Sequence, residues 1–163
     1  MKSTEKATSR DAREFLFREY RPEDLDTLWR LDQRCFTPEI AYSRPELEYY
    51  LRNRTKMCIV AERGDEVAGF ILGHRDSRGF GHIVTIDVDE SARRSGLGSQ
   101  LISRLEERFR AAGCAQAVLE VAIDNRAALD FYRKHGYATV KTLPRYYPGG
   151  LDGLLMSKRL AFA

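Results

Sequence analysis

Cysteine and histidine are scarce in this sequence, and neither is spaced like a metal site. The three cysteines are odd in number and lack a short ligand spacing, which argues against a disulfide framework and against structural zinc. We therefore expect reduced thiols packed in the core of a cytoplasmic protein. The histidines form no ligand cluster either, so we expect no metal. The residues concerned are Cys35, Cys58, Cys114, His74, His82 and His135.

Long apolar runs are also missing. No stretch approaches the roughly 18 apolar residues that cross a bilayer, so no membrane association is expected. Residues 1–14 mix charged residues with Ser and Thr and contain no apolar h-region, unlike a secretory signal. We interpret residues 1–14 as a flexible N-terminal tail ahead of a single domain over residues 15–163.

Charge of one sign is not in large excess. The net charge is +3 and the basic residues are spread along the chain, which argues against a nucleic-acid-binding surface. With 43% hydrophobic and 31% charged residues, the composition is typical of a globular protein. A chain of 163 residues can bury one core without metal or disulfide support. The sequence does not distinguish a monomer from a homodimer.

What the sequence does contain is a glycine pair between an apolar run and an amphipathic helix. The run ends at Val88, Arg93, Gly96 and Gly98 follow, and the helix ends at Gly113. A helix N-terminus exposes unpaired N–H groups, and glycines let a pyrophosphate come close to them. The segment is neither a P-loop nor a dinucleotide fingerprint, because it lacks Lys-Ser/Thr and a third glycine. It fits an anion site or a simple turn.

Periodicity predicts an α/β order along the domain. Short apolar runs predict strands, and Ser43 with Glu46 forms a capping-box pattern for the second helix. The strand–helix–strand order from Ile83 to Val121 favours a parallel right-handed crossover. Expected strands cover 15–20, 57–62, 67–73, 82–88, the run from 117 and 154–160; expected helices cover 22–36, the segment after Ser43, and those ending at Gly113 and Gly136.

A second segment combines an apolar strand, an asparagine and a short aromatic helix. Its residues are Leu119-Glu120-Val121, Asn125, Ala128, Phe131, Tyr132 and Gly136-Tyr137, and a further aromatic run, Arg145-Tyr146-Tyr147-Pro148, lies near the end of the chain.

Together with Arg93-x-x-Gly96-x-Gly98, these residues resemble the Gcn5-related N-acetyltransferase (GNAT) superfamily, and in particular its ribosomal-protein-alanine and N-terminal acetyltransferase branch. The likeness covers roughly residues 15–160. It implies a single α/β domain with a mixed central sheet, about four flanking helices and a cleft between splayed strands. It also implies acetyl-CoA as the acetyl donor and an amine, most simply a protein N-terminus, as the acceptor.

The resemblance implies which residues hold the cofactor. The pantetheine arm would pair with the strand before the phosphate loop, and a backbone N–H near Val88 would bind the oxyanion. Asn125 would hold the arm, cap the helix, or do both. Arg133 and Lys134 would meet the adenosine 3′-phosphate or only complement the helix C-terminus, as His135 would. The implied set is Ile86, Val88, Arg93, Arg94, Ser95, Gly96, Leu97, Gly98, Ser99, Asn125, Tyr132, Arg133 and Lys134.

Two residues are candidates for the chemistry. Acyl transfer from a thioester needs an acid for the leaving thiolate, and Tyr132 matches the tyrosine of the family; its alternative role is core packing. Glu120 would take the amine proton, directly or through water, or would only meet solvent or a salt-bridge partner. An α-amine is roughly a fifth neutral at pH 7.4 and lysine about a thousandth, so a carboxylate base better suits an N-terminus.

Two aromatic loops are the candidate acceptor site. The resembled branch holds its substrate with such loops, here Phe36, Pro38, Glu39, Ile40, Tyr42, Tyr146 and Tyr147. The acidic residues that often follow the paired tyrosines are replaced here by residues 149–153, which puts the peptide substrate in doubt. A small amine such as a polyamine, amino acid or antibiotic is the alternative acceptor, and a non-catalytic coenzyme A-binding module is the alternative of another class.

Overall fold

The computed structural model describes residues 14–161, so most of the predicted tail, residues 1–13, lies outside the described part of the chain. Those residues form one α/β domain with a seven-stranded mixed sheet in the order β1-β2-β3-β4-β5-β7-β6. The strands are β1 (Leu16–Glu19), β2 (Lys56–Arg63), β3 (Glu66–Arg75), β4 (Gly81–Val88), β5 (Gln116–Ala122), β6 (Ala138–Leu143) and β7 (Gly153–Arg159). The helices are α1 (Leu25–Cys35), α2 (Arg44–Leu51), α3 (Leu97–Ala111) and α4 (Arg126–Lys134), with 3-10 turns at Pro22–Asp24 and Glu90–Ala92.

The sheet separates two apolar cores. Side chains alternate along β2, so Ile59 belongs to one core and Val60 to the other. The first core includes α3 residues such as Leu105, and the second packs α1 and α2 through Leu28 and Leu47. Burying an apolar side chain of this size stabilises the fold by about 1.5–3 kcal/mol. The domain is therefore a sheet covered on both faces, as the sequence predicted.

Most expected elements are confirmed. Strands β2, β3 and β4 form antiparallel hairpins. The Ser43 hydroxyl accepts the Glu46 N–H and the Glu46 carboxylate accepts the Ser43 N–H at 2.8 Å, which completes the capping box. The sequence prediction missed β6, because half of its residues are polar and nearly all are exposed. This strand pairs with β7 at the sheet edge, where even Val140 is 56% exposed, so it shows no buried apolar face.

The parallel crossover is confirmed, but the two strands it joins stay paired only briefly. Strands β4 and β5 are in register at Gly81–Ala117 and His82–Val118 and then diverge. Helix α3 packs over this junction, and a Cβ added at Gly81 would lie 2.4 Å from the Phe109 ring. The absence of a side chain at Gly81 thus lets the helix lie close against the sheet. The divergence opens the cleft that the resemblance implied.

Two buried carboxyl groups join α1 to β4. Asp32 and Asp87 are both fully buried, and Asp32 accepts the Tyr42 N–H at 2.7 Å while Asp87 accepts the Thr85 hydroxyl at 2.5 Å. Asp32 Oδ1 and Asp87 Oδ2 have no other donor within the described residues. Burial, and then the charge of Asp32, raise the pKa of Asp87 well above its usual range. The two buried carboxyl groups therefore share one proton, which the raised pKa assigns to Asp87.

This shared proton predicts a pH-dependent stability. A folded-state pKa raised above the unfolded value favours folding at low pH, and that advantage is lost as pH rises from about 4 through the folded pKa. Asp87→Asn supplies a permanent donor to Asp32. We expect it to raise the free energy of unfolding at pH 8 by about 1–2 kcal/mol, with a smaller gain at pH 4.

Urea unfolding at several pH values measures this effect. Asp65→Asn, which changes an exposed carboxylate in the β2–β3 turn, is the control and should leave stability unchanged. An Asp87→Asn variant that is less stable than the wild type at pH 8 would contradict the shared proton.

Candidate functional site

Two cavities meet where β4 and β5 diverge. The first, which we call the carboxylate cavity, has a volume of about 310 Å³ and contains Glu120. The second, the loop cavity, has a volume of about 520 Å³ and lies against the N-terminus of α3. Both are lined by Cys35, Phe36, Ile86, Asn125, Ala128 and Tyr132. The two cavities are thus continuous, and Tyr132 lies at their junction.

The loop cavity is built for an anionic group. Gly96 adopts φ +82° and turns the chain into α3, whose first intrahelical bond runs from Gln100 N–H to the Gly96 carbonyl. The N–H groups of residues 97–99 therefore have no intrahelical acceptor. A Cβ at Gly98 would lie 3.2 Å from Phe131, so glycine keeps this wall open. The predicted residues that line the cavity are Ile86, Val88, Arg93, Arg94, Gly96, Leu97, Gly98, Ser99, Asn125, Tyr132 and Lys134.

Two of the predicted cofactor residues do not line this cavity. Ser95 turns its hydroxyl to the Ala92 carbonyl, so its side chain stabilises the loop instead. Arg133 projects from the other side of α4 and lines a separate depression with Asp130. It is separated from Lys134 because adjacent helical residues point about 100° apart. The cofactor role of these two residues stays a prediction.

His135 also differs from its expected role as a cation. It caps α4, but burial lowers its pKa, which favours a neutral ring at neutral pH. Its Nε2 lies 3.0 Å from the Ser99 hydroxyl in the first turn of α3. The ring therefore holds Ser99 in place and does not serve as a charge at the helix end.

The edge of β4 presents backbone groups to the cleft. The Asp89 N–H donates to the Ala68 carbonyl in β3, and backbone groups alternate along a strand. The N–H groups of Ile86 and Val88 therefore point the opposite way, toward the gap that β5 has left. The Val88 carbonyl confirms this direction, since it accepts the Cys35 thiol at 3.5 Å and Arg93 Nε at 3.3 Å.

Asn125 begins α4 beside both cavities. Its side-chain oxygen accepts the Ala128 N–H at 3.1 Å, which confirms the N-cap role. Because the same residue lines both cavities, its amide nitrogen remains available to a ligand. Cys35 also lines both, but burial raises the pKa of its thiol to about 11, so this cysteine is not a thiolate nucleophile at neutral pH.

Tyr132 is buried at the junction of the two cavities, with 7% of its surface exposed. Desolvation raises the pKa of its phenol above the usual value of 10. Within residues 14–161 its hydroxyl has no hydrogen-bond partner, in contrast to the buried Tyr137 hydroxyl, which donates to Glu106 at 3.1 Å. The Tyr132 hydroxyl is thus a protonated donor that faces the cavities.

Glu120 lines the carboxylate cavity and is held by a residue that the sequence analysis did not select. His82 Nε2 lies 2.6 Å from Glu120 Oε2, and His82 Nδ1 lies 3.2 Å from His74 Nε2. A signal was present, because alternate β4 residues share a face: Val88 and Ile86 lead back to Val84 and then to His82. The spacing of His82 from His74 gave no such indication.

The remaining wall of the carboxylate cavity is aromatic and apolar. Asp32 and Gln33 on α1 hold the backbone N–H and carbonyl of Tyr42, and the Tyr42 hydroxyl donates to Val84 at 3.3 Å. Pro38 and Glu39 do not line the cavity because the chain turns there, and their role in acceptor binding stays a prediction. The wall residues are Phe36, Thr37, Ile40, Tyr42, Val84, Tyr146, Tyr147 and Leu151.

The glycine-rich segment after the paired tyrosines has a structural explanation. Gly149 and Gly150 both adopt φ +88°, and the Tyr147 N–H donates to the Leu151 carbonyl at 3.0 Å. Asp152 accepts the Arg145 N–H at 2.8 Å. The glycines thus form a tight turn that folds Tyr147 against Tyr146, with ring centroids 4.9 Å apart.

No three His, Cys, Asp or Glu side chains within residues 14–161 are grouped to hold a metal ion. Of the helices in this part of the chain, none is both long enough and apolar enough to span a membrane.

The sequence and the fold both match known acetyltransferases. The profile of the Acetyltransferase (GNAT) family matches residues 25–137. An uncharacterized N-acetyltransferase of Methanocaldococcus jannaschii is 35% identical over 146 residues, which are 88% of this chain and 91% of that protein. N-alpha-acetyltransferase 30 of Homo sapiens is 32% identical over 127 residues, 74% of this chain but only 35% of the human protein. The crystal structure of Ard1 from Thermoplasma volcanium has a TM-score of 0.83 at 29% identity and covers 90% of this chain and 98% of its own.

The family profile thus covers both the glycine loop and the Glu120–Tyr132 segment, and the Ard1 comparison covers nearly the whole domain. The chain belongs to the Acetyltransferase (GNAT) family and is an N-acetyltransferase.

Proposed function

We propose that this protein transfers the acetyl group of acetyl-CoA to the free α-amine of a peptide or protein N-terminus. The observation that carries the proposal is the pair of connected cavities, with Glu120 in one, an anion-binding helix terminus in the other and Tyr132 between them. An N-alpha-acetyltransferase among the relatives supports the same acceptor. The free state of the described cysteines fits a reducing, cytoplasmic compartment.

Acetyl-CoA fits the loop cavity by charge and by shape. The pyrophosphate would accept N–H groups at the start of α3, with Arg93 and Arg94 beside it and Lys134 as a further cation. The pantetheine amides would pair with the free edge of β4 at Ile86 and Val88. The thioester would then reach the junction of the cavities, next to Tyr132.

The residues at the junction provide the required proton transfers. The amine nitrogen attacks the thioester carbon, the C–N bond forms, and the Val88 N–H stabilises the oxyanion. Glu120 takes the proton that the amine loses, directly or through one water. The C–S bond then breaks, and Tyr132 gives its proton to the thiolate. The raised pKa of Tyr132 keeps the phenol protonated until the thiolate forms beside it.

The acceptor cavity favours a peptide end over a multiply charged amine. Its lining includes two carboxylates, Glu120 and Asp124, and is otherwise dominated by aromatic and apolar groups. A polyamine with more than two ammonium groups would exceed these two carboxylates and leave charge unpaired against the rest of the wall. Tyr146 and Tyr147 offer hydroxyls to peptide carbonyls, whereas a small amine would leave them unused. The small-amine alternative has no such observation in its favour.

Gly96→Asp should abolish stoichiometric acetyl-CoA binding, because it places bulk and negative charge at the proposed pyrophosphate site. Isothermal calorimetry measures the affinity. Gly113→Asp is a matched control: Gly113 also has positive φ and open space around its Cβ, but it follows the opposite end of α3. Equal affinities for acetyl-CoA in the two variants would contradict the loop assignment.

Tyr132→Phe should lower kcat by about 10²- to 10⁴-fold and leave acetyl-CoA affinity unchanged, because it removes the acid and keeps the ring. Steady-state assays of coenzyme A release measure kcat. Tyr137→Phe, which removes a buried hydroxyl outside both cavities, should retain wild-type kcat. If Tyr132→Phe turns over like the wild type, Tyr132 is a packing residue only.

Peptides with a free α-amine should be better substrates than the same peptides with a blocked N-terminus and an internal lysine. Tyr147→Ala should raise KM for peptides, whereas Tyr49→Ala, a substitution outside both cavities, should not. Mass spectrometry identifies the acetylated nitrogen. A higher kcat/KM for free polyamines or amino acids than for every peptide, together with a silent Tyr147→Ala, would leave the small-amine function as the better account.

A further inference from the structure

We propose that His82, itself held by His74, is a positioning residue that orients the Glu120 carboxylate. The inference rests on the proposed function, in which Glu120 accepts the proton of the amine. The inference adds His82, a residue of β4, to the site. His82 belongs neither to the glycine loop nor to the aromatic loops.

The position of His82 suits this role. It is the last residue of β4 in register with β5, opposite Val118, and Glu120 stands two residues further along β5 on the same face. The two side chains therefore bridge the strands at the point where the cleft opens. His82 does not line the carboxylate cavity, so it approaches Glu120 from behind.

The distances define a chain of hydrogen bonds. At 2.6 Å, His82 Nε2 and Glu120 Oε2 must share a proton, since two lone pairs would repel each other at this separation. His74 pairs with His82 across the β3–β4 ladder, with 3.2 Å between Nε2 of His74 and Nδ1 of His82. Burial, and then the neighbouring His82, lower the pKa of His74, so this ring is neutral at neutral pH.

Two protonation patterns satisfy the chain. Either His82 is neutral and its Nδ1 accepts the His74 Nε2–H, or His82 is an imidazolium and donates to a neutral His74. In both patterns, with Glu120 ionised, the Nε2–H of His82 points at Oε2. Oε1 of Glu120 then remains without a partner among residues 14–161. This is the oxygen that would accept the proton of the amine.

The other titratable groups around the His74–His82–Glu120 hydrogen bonds do not change their protonation in the pH range of the assay. Desolvation raises the pKa of each tyrosine near Glu120, and hydrogen bonds from the Arg78 side chain and nearby N–H groups outweigh desolvation and lower the pKa of the carboxylate near His74. Between about pH 5 and 9 these phenols stay neutral and this carboxylate stays ionised. The groups that face the chain are Tyr50 on α2, Tyr146 and Tyr147 on the loop after β6, and Asp76 after β3.

The test compares His82→Leu, which removes the donor, with His82→Gln, whose amide can donate at the position of Nε2 without titrating. The substrate is one peptide with a free α-amine, and kcat and kcat/KM are measured from pH 5.5 to 9. We expect His82→Leu to lower kcat by about 10- to 100-fold with little change in the KM for acetyl-CoA. Its acid limb should move to higher pH, because the carboxylate has lost a donor to its charged form.

His82→Gln should restore most of kcat and the position of the acid limb. The ionisation of the substrate amine is the same in every variant, so differences between the profiles report on the enzyme. Acetyl-CoA affinity, measured by calorimetry, shows that each variant is folded. A His82→Leu variant that loses acetyl-CoA binding is replaced by His74→Gln, for which a smaller loss of kcat with the same direction of pH shift is expected.

Glu120→Gln separates this proposal from the one it rests on. If Glu120 is the base, Glu120→Gln is slow, most severely at low pH where the amine is protonated, and His82→Leu added to it has little further effect. A slow Glu120→Gln with wild-type rates and an unshifted profile in His82→Leu overturns the positioning role alone. Wild-type rates in Glu120→Gln overturn the base assignment, and the role of His82 with it.

Discussion

Parallel strands that remain paired leave no room between them, and the whole site depends on the early separation of β4 and β5. The two strands share a register over two residues and then part while the same sheet continues on either side. The gap frees the N–H groups of Ile86 and Val88 and brings the loop cavity and the carboxylate cavity together. Buried backbone donors without partners are costly, so this edge is stable only because a ligand or water can satisfy it.

The surrounding elements fix the two sides of the gap. Helix α3 packs tightly over the paired end of β4 through Gly81, and its N-terminus is aimed at the loop cavity by Gly96. On the other side, Asp32 holds the backbone of Tyr42 and shares a proton with Asp87 in β4. The buried pair thereby links the aromatic wall to β4, the strand that borders both cavities.

Much of this could be predicted from the sequence because local signals were strong. The Ser43 capping box, the apolar runs of β2 to β4 and the glycine before α3 each have a short-range physical cause. The resemblance to a family supplied the roles of Glu120 and Tyr132. Edge strand β6 could not be predicted in the same way, because its residues are exposed and show no alternation between a buried and a solvent face.

Contacts between residues that are far apart in the sequence were the other feature that could not be predicted. The alternation along β4 assigns His82 to the face of Ile86 and Val88, but it does not place His82 beside Glu120, because their contact depends on the register between β4 and β5. Likewise, Arg133 and Lys134 are neighbours in sequence, yet the turn of α4 directs only Lys134 to the cavity. Ser95 lies in the loop motif, but its hydroxyl is used by the loop itself. Spacing identifies the segment that forms a site, whereas tertiary packing selects the side chains.

The most direct test is a crystal structure with coenzyme A joined through an acetyl group to the α-amine of a short peptide. The account predicts that the pyrophosphate binds the N-terminus of α3 and that the peptide lies in the carboxylate cavity. The sulfur should lie within hydrogen-bonding distance of the Tyr132 hydroxyl, and the amide nitrogen should be on the Glu120 side. A complex in which the sulfur lies away from Tyr132, or the peptide leaves the carboxylate cavity empty, would contradict the account.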